Sequence, residues 1–141
     1  MAAYGPVRAV DGVSLNVPTG SITAVLGANG AGKSSLLRAV SGIVRPRSGR
    51  VLFQGEDITR SSAENIVRRG LAPVLASRIM ALIGELREKA ELTVLLVEQN
   101  AKSALGVADR GVVLGVGRVV AEDDSQTLAA DDKLRHAYLG F

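Results

Sequence analysis

Apolar residues occupy every second position of Val13-Ser14-Leu15-Asn16-Val17. A period of two predicts a half-buried β-strand, and Pro18-Thr19-Gly20 supplies turn residues that end it as one arm of a hairpin. The next run, Ile22-Thr23-Ala24-Val25-Leu26, is short, β-branched and nearly all apolar. It predicts a strand buried on both faces within a parallel sheet. A glycine-rich turn covers Gly27 to Gly32, after which Leu36, Leu37 and Val40 recur at helical spacing until Gly42 and Pro46 stop the helix.

Further along, Arg50 to Gln54 reads as another short strand, and Ser61 or Ser62 is placed to cap a helix through Ile66 and Val67. From Pro73, the residues Leu75, Ile79, Leu82, Ile83 and Leu86 form the apolar face of an amphipathic helix. Leu92 to Val97 predicts a buried strand, Ala101 to Ala108 a short helix, and Gly111 to Leu114 a strand. Gly115-Val116-Gly117 then turns into Val119-Val120, and the remaining tail reads as helical and polar. Strand and helix alternate without tandem repeat, which points to an α/β sandwich with a parallel sheet and an N-terminal antiparallel flap.

The 141 residues, 47% hydrophobic and 22% charged, suit one soluble globular domain. The chain has no cysteine, which excludes disulfides, thiolate metal sites and a cysteine nucleophile and fits a reducing, cytosolic setting. The most apolar stretch, Ala104 to Ala121, is broken by Asp109, Arg110 and Arg118 and is too interrupted to span a bilayer. Met1 to Pro6 lacks the basic start and apolar core of an export signal.

Net charge is only +3, but no acid lies between Asp11 and Glu56, where Lys33, Arg38, Arg45, Arg47 and Arg50 are found. That stretch favours an anionic ligand. Nucleic acid is not the expected one, because the basic residues are not interleaved with aromatics and the C-terminal half carries Glu122-Asp123-Asp124 and Asp131-Asp132.

Gly27-Ala28-Asn29-Gly30-Ala31-Gly32-Lys33-Ser34 matches G-x-x-x-x-G-K-[ST] in full, after a predicted buried strand and before a predicted helix. Phosphates need many donors close together. Glycines let backbone N–H groups turn inward, and the helix start adds its dipole. In that arrangement Gly27 to Ser35 bind a nucleotide, Lys33 supplies the point charge to the outer phosphates, and the Ser34 hydroxyl ligates Mg²⁺.

With this loop in place, the sequence resembles the ATP-binding subunits of ATP-binding cassette transporters, and specifically those of branched-chain amino acid importers. The likeness is carried by Tyr4-Gly5, Ala9 to Leu15, the Gly27 to Ser34 loop, Ser48-Gly49 with Gly55 to Thr59, Thr93 to Asn100, and Ala137-Tyr138-Leu139-Gly140. These segments are spread along the chain from Tyr4 to Gly140. Glu98-Gln99-Asn100 and the closing Ala-Tyr-Leu-Gly direct it to the branched-chain subgroup. The resemblance implies a P-loop NTPase fold, a three-layer sandwich around a parallel sheet. By the same likeness Tyr4 stacks on adenine, although only three residues precede it where the family has its first strand. Gln99 stands where most cassettes place a switch histidine; an amide donates a hydrogen bond there but carries no charge.

The main departure lies at Gly70 to Pro73. Arg68 to Ala72 looks like the approach to the family's glutamine loop, whereas Gly70 to Pro73 and the helix after it look like the segment beyond its second nucleotide motif. The resemblance therefore implies an internal deletion, whether natural, engineered or from a gene-model error. It removes the glutamine loop, helical subdomain, signature motif, Mg²⁺-binding aspartate and catalytic glutamate. Glu98 is the one substitute carboxylate, otherwise an ordinary strand-end residue. His136 reads as a solvated helix position, and the acidic pairs as solvated faces.

The reading that follows is an ATP-binding, energy-coupling subunit of an amino acid importer, or a shortened remnant of one, with ATP and Mg²⁺ as cofactors. Its implied partners are a second ATP-binding subunit and membrane permease subunits, at the cytoplasmic face of the cell membrane. The alternatives are a non-catalytic nucleotide-binding fragment and an unrelated small P-loop kinase. A kinase would want an arginine-rich lid and a substrate-binding acid after its second strand, and neither is evident.

Overall fold

Strand β3 (Ile22–Leu26) is buried at every residue and lies at the centre of the molecule. The computed structural model describes residues 2–4, 7–71, 85 and 93–141. Among these, β3 pairs in parallel with β6 (Val94–Val97) on one side and β7 (Arg110–Gly115) on the other, and β8 (Arg118–Asp124) adds an antiparallel edge. A strand with neighbours on both edges and helices on both faces has no polar side, which is why its sequence runs apolar instead of alternating. Asp109 ties the start of this pairing: its carboxylate accepts from the Ile22 N–H at 2.8 Å, and its own N–H donates to the Ile22 carbonyl at 2.8 Å.

The two faces of the sheet carry separate cores. On one, Ile22, Ala24, Leu26, Leu96 and Val113 pack against α3 (Ala101–Val107) and α4 (Ser125–Ala130). On the other, Val25, Val97, Val112 and Leu114 pack against Leu36 and Leu37 of α1 (Lys33–Val40) and against Val10. Val10 closes β2 (Val7–Val10), which pairs antiparallel with β1 (Ala2–Tyr4) as the expected flap. The result is a three-layer α/β sandwich of the expected class.

Three expectations change. Val13 to Val17 keeps the alternation, with Val13, Leu15 and Val17 half-buried and Ser14 and Asn16 exposed, but it is not a strand. The period reports which side faces the core, and among the described residues no neighbouring strand is paired with it; the hairpin is β1–β2 instead. The strand expected over Arg50 to Gln54 shrinks to β4 (Leu52–Phe53), because Gln54 and Gly55 at φ 52° and 80° reverse the chain into β5 (Glu56–Asp57). The tail is not wholly polar. Leu128 and Leu139 are 3% and 9% exposed and complete the first core.

Elsewhere local chemistry acts as read. Ser62 is the cap of α2 (Ala63–Arg68), its hydroxyl accepting from the Asn65 N–H at 3.3 Å. Asp124 and Asp131 cap α4 and α5 (Asp132–Leu134), so the acidic runs serve helix starts. A π-helical turn, Arg135–Leu139, follows, and His136 on it is exposed. The amphipathic helix expected from Pro73 through Leu86, and most of the Gly70 to Pro73 junction, lie outside the described residues.

Candidate nucleotide-binding site

Where β3 ends, the chain leaves the carboxyl end of the sheet between two neighbouring strands, the place where open α/β sheets bind ligands. Gly27, at φ 143°, is buried against β7: a Cβ there would meet the Leu114 carbonyl oxygen at 2.4 Å. Ala28, Asn29 and Gly30 form the exposed crest of the loop. Ala31 turns back inward to 4% exposure, and its N–H donates to the Ala28 carbonyl at 3.1 Å. Gly30 and Gly32, at φ 79° and 104°, supply the left-handed steps that a side chain would resist.

Helix α1 begins directly after Gly32, and no side chain caps it. Its first turn holds no acid, so the backbone N–H groups at its start keep their capacity for an external anion. Lys33 lies in this first turn and is 9% exposed. Its ammonium donates to the Gly27 carbonyl at 2.6 Å and the Ala28 carbonyl at 2.9 Å, drawing the loop around itself. Burial lowers its pKa from the ordinary 10.5. Ser34 is exposed beside it and Ser35 half-buried.

The fit to a nucleotide and its metal follows from these donors. The uncapped helix start and the Lys33 ammonium match a phosphate chain. Among the described residues, no cluster of three or more histidine, cysteine or acidic side chains is present to hold a metal by itself. Mg²⁺ is commonly held by one or two protein oxygens together with phosphate oxygens. The Ser34 hydroxyl suits that kind of site, in which the metal arrives with the phosphates.

The other sequence-derived candidates fall around the same end of the sheet. Register pairs Val25 with Val97, so Glu98 and Gln99 leave β6 beside the point where the loop leaves β3. The Glu98 carboxylate accepts from the N–H groups of Gln99 at 2.7 Å and Asn100 at 3.2 Å, which makes it the brace of the β6–α3 turn. Gln99 is exposed. Tyr4 is the last residue of β1, paired with Val7, on the flap that packs over α1. Arg45, Arg47 and Arg50 are exposed, and on the β4–β5 hairpin Asp57 is held below the usual carboxylate range by the Thr59 hydroxyl and then the Thr59 N–H.

Sequence reading did not connect Asp11, Gly117 and Arg118 with this loop. The Gly117 N–H donates to the Ala31 carbonyl at 2.9 Å, and the Asp11 N–H donates to the Gly117 carbonyl at 2.8 Å. A glycine in a predicted hairpin turn carried no signal of that contact.

A family model described as ABC transporter matches residues 10–135. The chain belongs to the ABC transporter family. The high-affinity branched-chain amino acid transport ATP-binding protein BraG of Pseudomonas aeruginosa is 26% identical to this ABC chain, covering 97% of it and 95% of BraG. That alignment runs over 223 positions against a chain of 141 residues, so more than a third of the positions face no residue here. The methionine import ATP-binding protein MetN of Carboxydothermus hydrogenoformans is 52% identical over 61 residues, which are 43% of this chain and 18% of MetN. The crystal structure of a nucleotide-free ATP-binding cassette from an ABC transporter superposes with a TM-score of 0.80 at 17% identity, over 94% of this chain and 93% of that one. The ABC chain therefore has the cassette fold. Among the described residues no helix is long and apolar enough to cross a membrane.

Proposed function

We propose that this ABC domain binds Mg-ATP through Gly27 to Ser35 and is the energy-coupling subunit, or a shortened form of one, of a branched-chain amino acid importer. The observation that carries the binding is the path from buried β3, through left-handed Gly27, Gly30 and Gly32, into an uncapped helix whose first residue is Lys33. The branched-chain assignment is supported by Glu98-Gln99-Asn100, the closing Ala137 to Gly140 and the alignment with BraG along nearly its whole length. Tyr4 is proposed as the adenine contact and Ser34 as the Mg²⁺ ligand. A second ATP-binding subunit and permease subunits are the proposed partners, at the inner face of the cell membrane.

We also infer an internal deletion at Gly70 to Pro73, a reading supported by the 223 positions of the BraG alignment against a chain of 141 residues. With it go the residues that position water and hold the metal for hydrolysis. Glu98 Oε1 accepts from two backbone N–H groups and holds the side chain against its own turn, which favours the reading of nucleotide binding without turnover.

Titration calorimetry of Mg-ATP into the purified chain and into Lys33→Ala tests the site. Lys33→Ala abolishes binding on this reading, because the ammonium is the loop's only side-chain charge. Equal affinity in the two proteins removes the assignment.

A further inference from the structure

Two backbone contacts join the phosphate loop to β7 and the turn beyond it. Leu114 presses against Gly27 where the loop begins, and Gly117 donates its N–H to the Ala31 carbonyl near the loop's end. The peptide bond between Ala31 and Gly32 is trans, so its C=O and N–H point in opposite directions. A hydrogen bond that fixes the Ala31 carbonyl toward Gly117 therefore aims the Gly32 N–H away from it.

The turn that provides this contact is strained. Val116 and Gly117 have φ 49° and 78°, the pair of positive angles a two-residue hairpin requires. Asparagine or aspartate usually fills the first position, whereas a β-branched residue there is an outlier. Val116 is 92% exposed, so packing of its side chain does not compensate for the strain. What holds the turn instead is its surroundings: the Ala31 carbonyl on one side and, on the other, the Asp11 N–H on the Gly117 carbonyl and an Arg118–Asp11 ion pair at 2.9 Å.

We propose that Gly117 is a positioning residue for nucleotide binding: its N–H, bonded to the Ala31 carbonyl, fixes the direction in which the loop presents the Gly32 N–H to phosphate. This rests on the loop being a phosphate site. Gly117 touches no ligand itself. Its effect is on the shape of the loop before the anion arrives, a preorganisation that lowers the cost of binding.

The test replaces Gly117 by glycolic acid in the full chain, which exchanges the N–H for an ester oxygen and leaves φ and ψ available. The control is the same exchange at Gly20, whose N–H donates to Thr93 Oγ1 at 2.8 Å in a turn away from the loop. Two measurements are made: ¹⁵N relaxation of the loop amides without ligand, and the affinity for Mg-tripolyphosphate, which has no base or sugar for the flap to hold. Loss of one hydrogen bond of ordinary net strength corresponds to about a fivefold weaker affinity. The expected result is that weakening, with lower order parameters at Gly30 and Gly32, from the Gly117 ester alone. Loop amides and affinity at parental values, or equal losses from both esters, overturn the proposal. A parent chain that binds no tripolyphosphate refutes the phosphate reading, while the relaxation comparison judges the turn with no ligand present.

Discussion

The Gly27 Cα and the Leu114 carbonyl are so close that a side chain between them is impossible without movement: an ideal Cβ on Gly27 lies 2.4 Å from that oxygen. Both partners of the contact are backbone, so neither has a flexible end to yield, and φ 143° at Gly27 adds strain for any L-residue. Gly27→Ala is expected to lose at least about 2 kcal/mol of stability. Thermal unfolding followed by circular dichroism should show the midpoint lower by roughly 6 °C. A variant melting with the parent would mean that the loop and β7 separate freely.

Val116→Asn should have the opposite sign. Asparagine accepts the left-handed angle at Val116 far better than a β-branched residue, and the exposed valine gives up no packing. A gain of about 1 kcal/mol is expected in urea denaturation, with nucleotide affinity unchanged because the Gly117 N–H stays in place. A loss of stability would show that the positive φ at Val116 costs the fold nothing.

Lys33 and Asp124 should each make stability rise with pH, in separate alkaline and acidic windows. Burial lowers the Lys33 pKa in the folded chain, so between that lowered value and the ordinary 10.5 the unfolded chain binds more protons. Stability from this group therefore rises with pH across that window and is flat below it. Lys33→Met removes the rise, which denaturation midpoints collected at alkaline pH would reveal. The Asp124 carboxylate is lowered by the Thr127 hydroxyl and then the Thr127 N–H, so its stabilisation is present above the ordinary 3.8 and is lost as pH falls through the folded value. Asp124→Ala should be less stable than the parent at neutral pH and equal to it in strong acid.

Phosphate release from ATP should be no faster than in a Lys33→Ala control. A positioned general base is worth about 10² to 10⁴ in rate, and charge-stabilising donors at the transferred phosphoryl group add comparable factors. Glu98 is the candidate carboxylate beside the loop, and its accepting oxygen is engaged by Gln99 and Asn100. Turnover above the control that Glu98→Gln abolishes would reverse this and make Glu98 the base.

By itself the sequence determined the local parts: β3 as a doubly buried strand, the loop from Gly27 to Ser34, a serine cap at Ser61 or Ser62, and the type of each core helix. These depend on neighbours within a few positions, where residue type limits φ and ψ and the apolar period names the buried side. The same logic read the alternation of Val13 to Val17 correctly and its pairing wrongly, since a period of two records burial and not a hydrogen-bond partner. Only the tertiary structure decided that β6 lies against β3, that Glu98 braces a turn, that Leu139 closes a core and that Gly117 holds Ala31. Ala31 and Gly117 are far apart in the chain, and their contact is between backbone groups that every sequence carries. Side-chain identity cannot encode such a bond; it forms because two strands in register bring one carbonyl and one N–H to the same place.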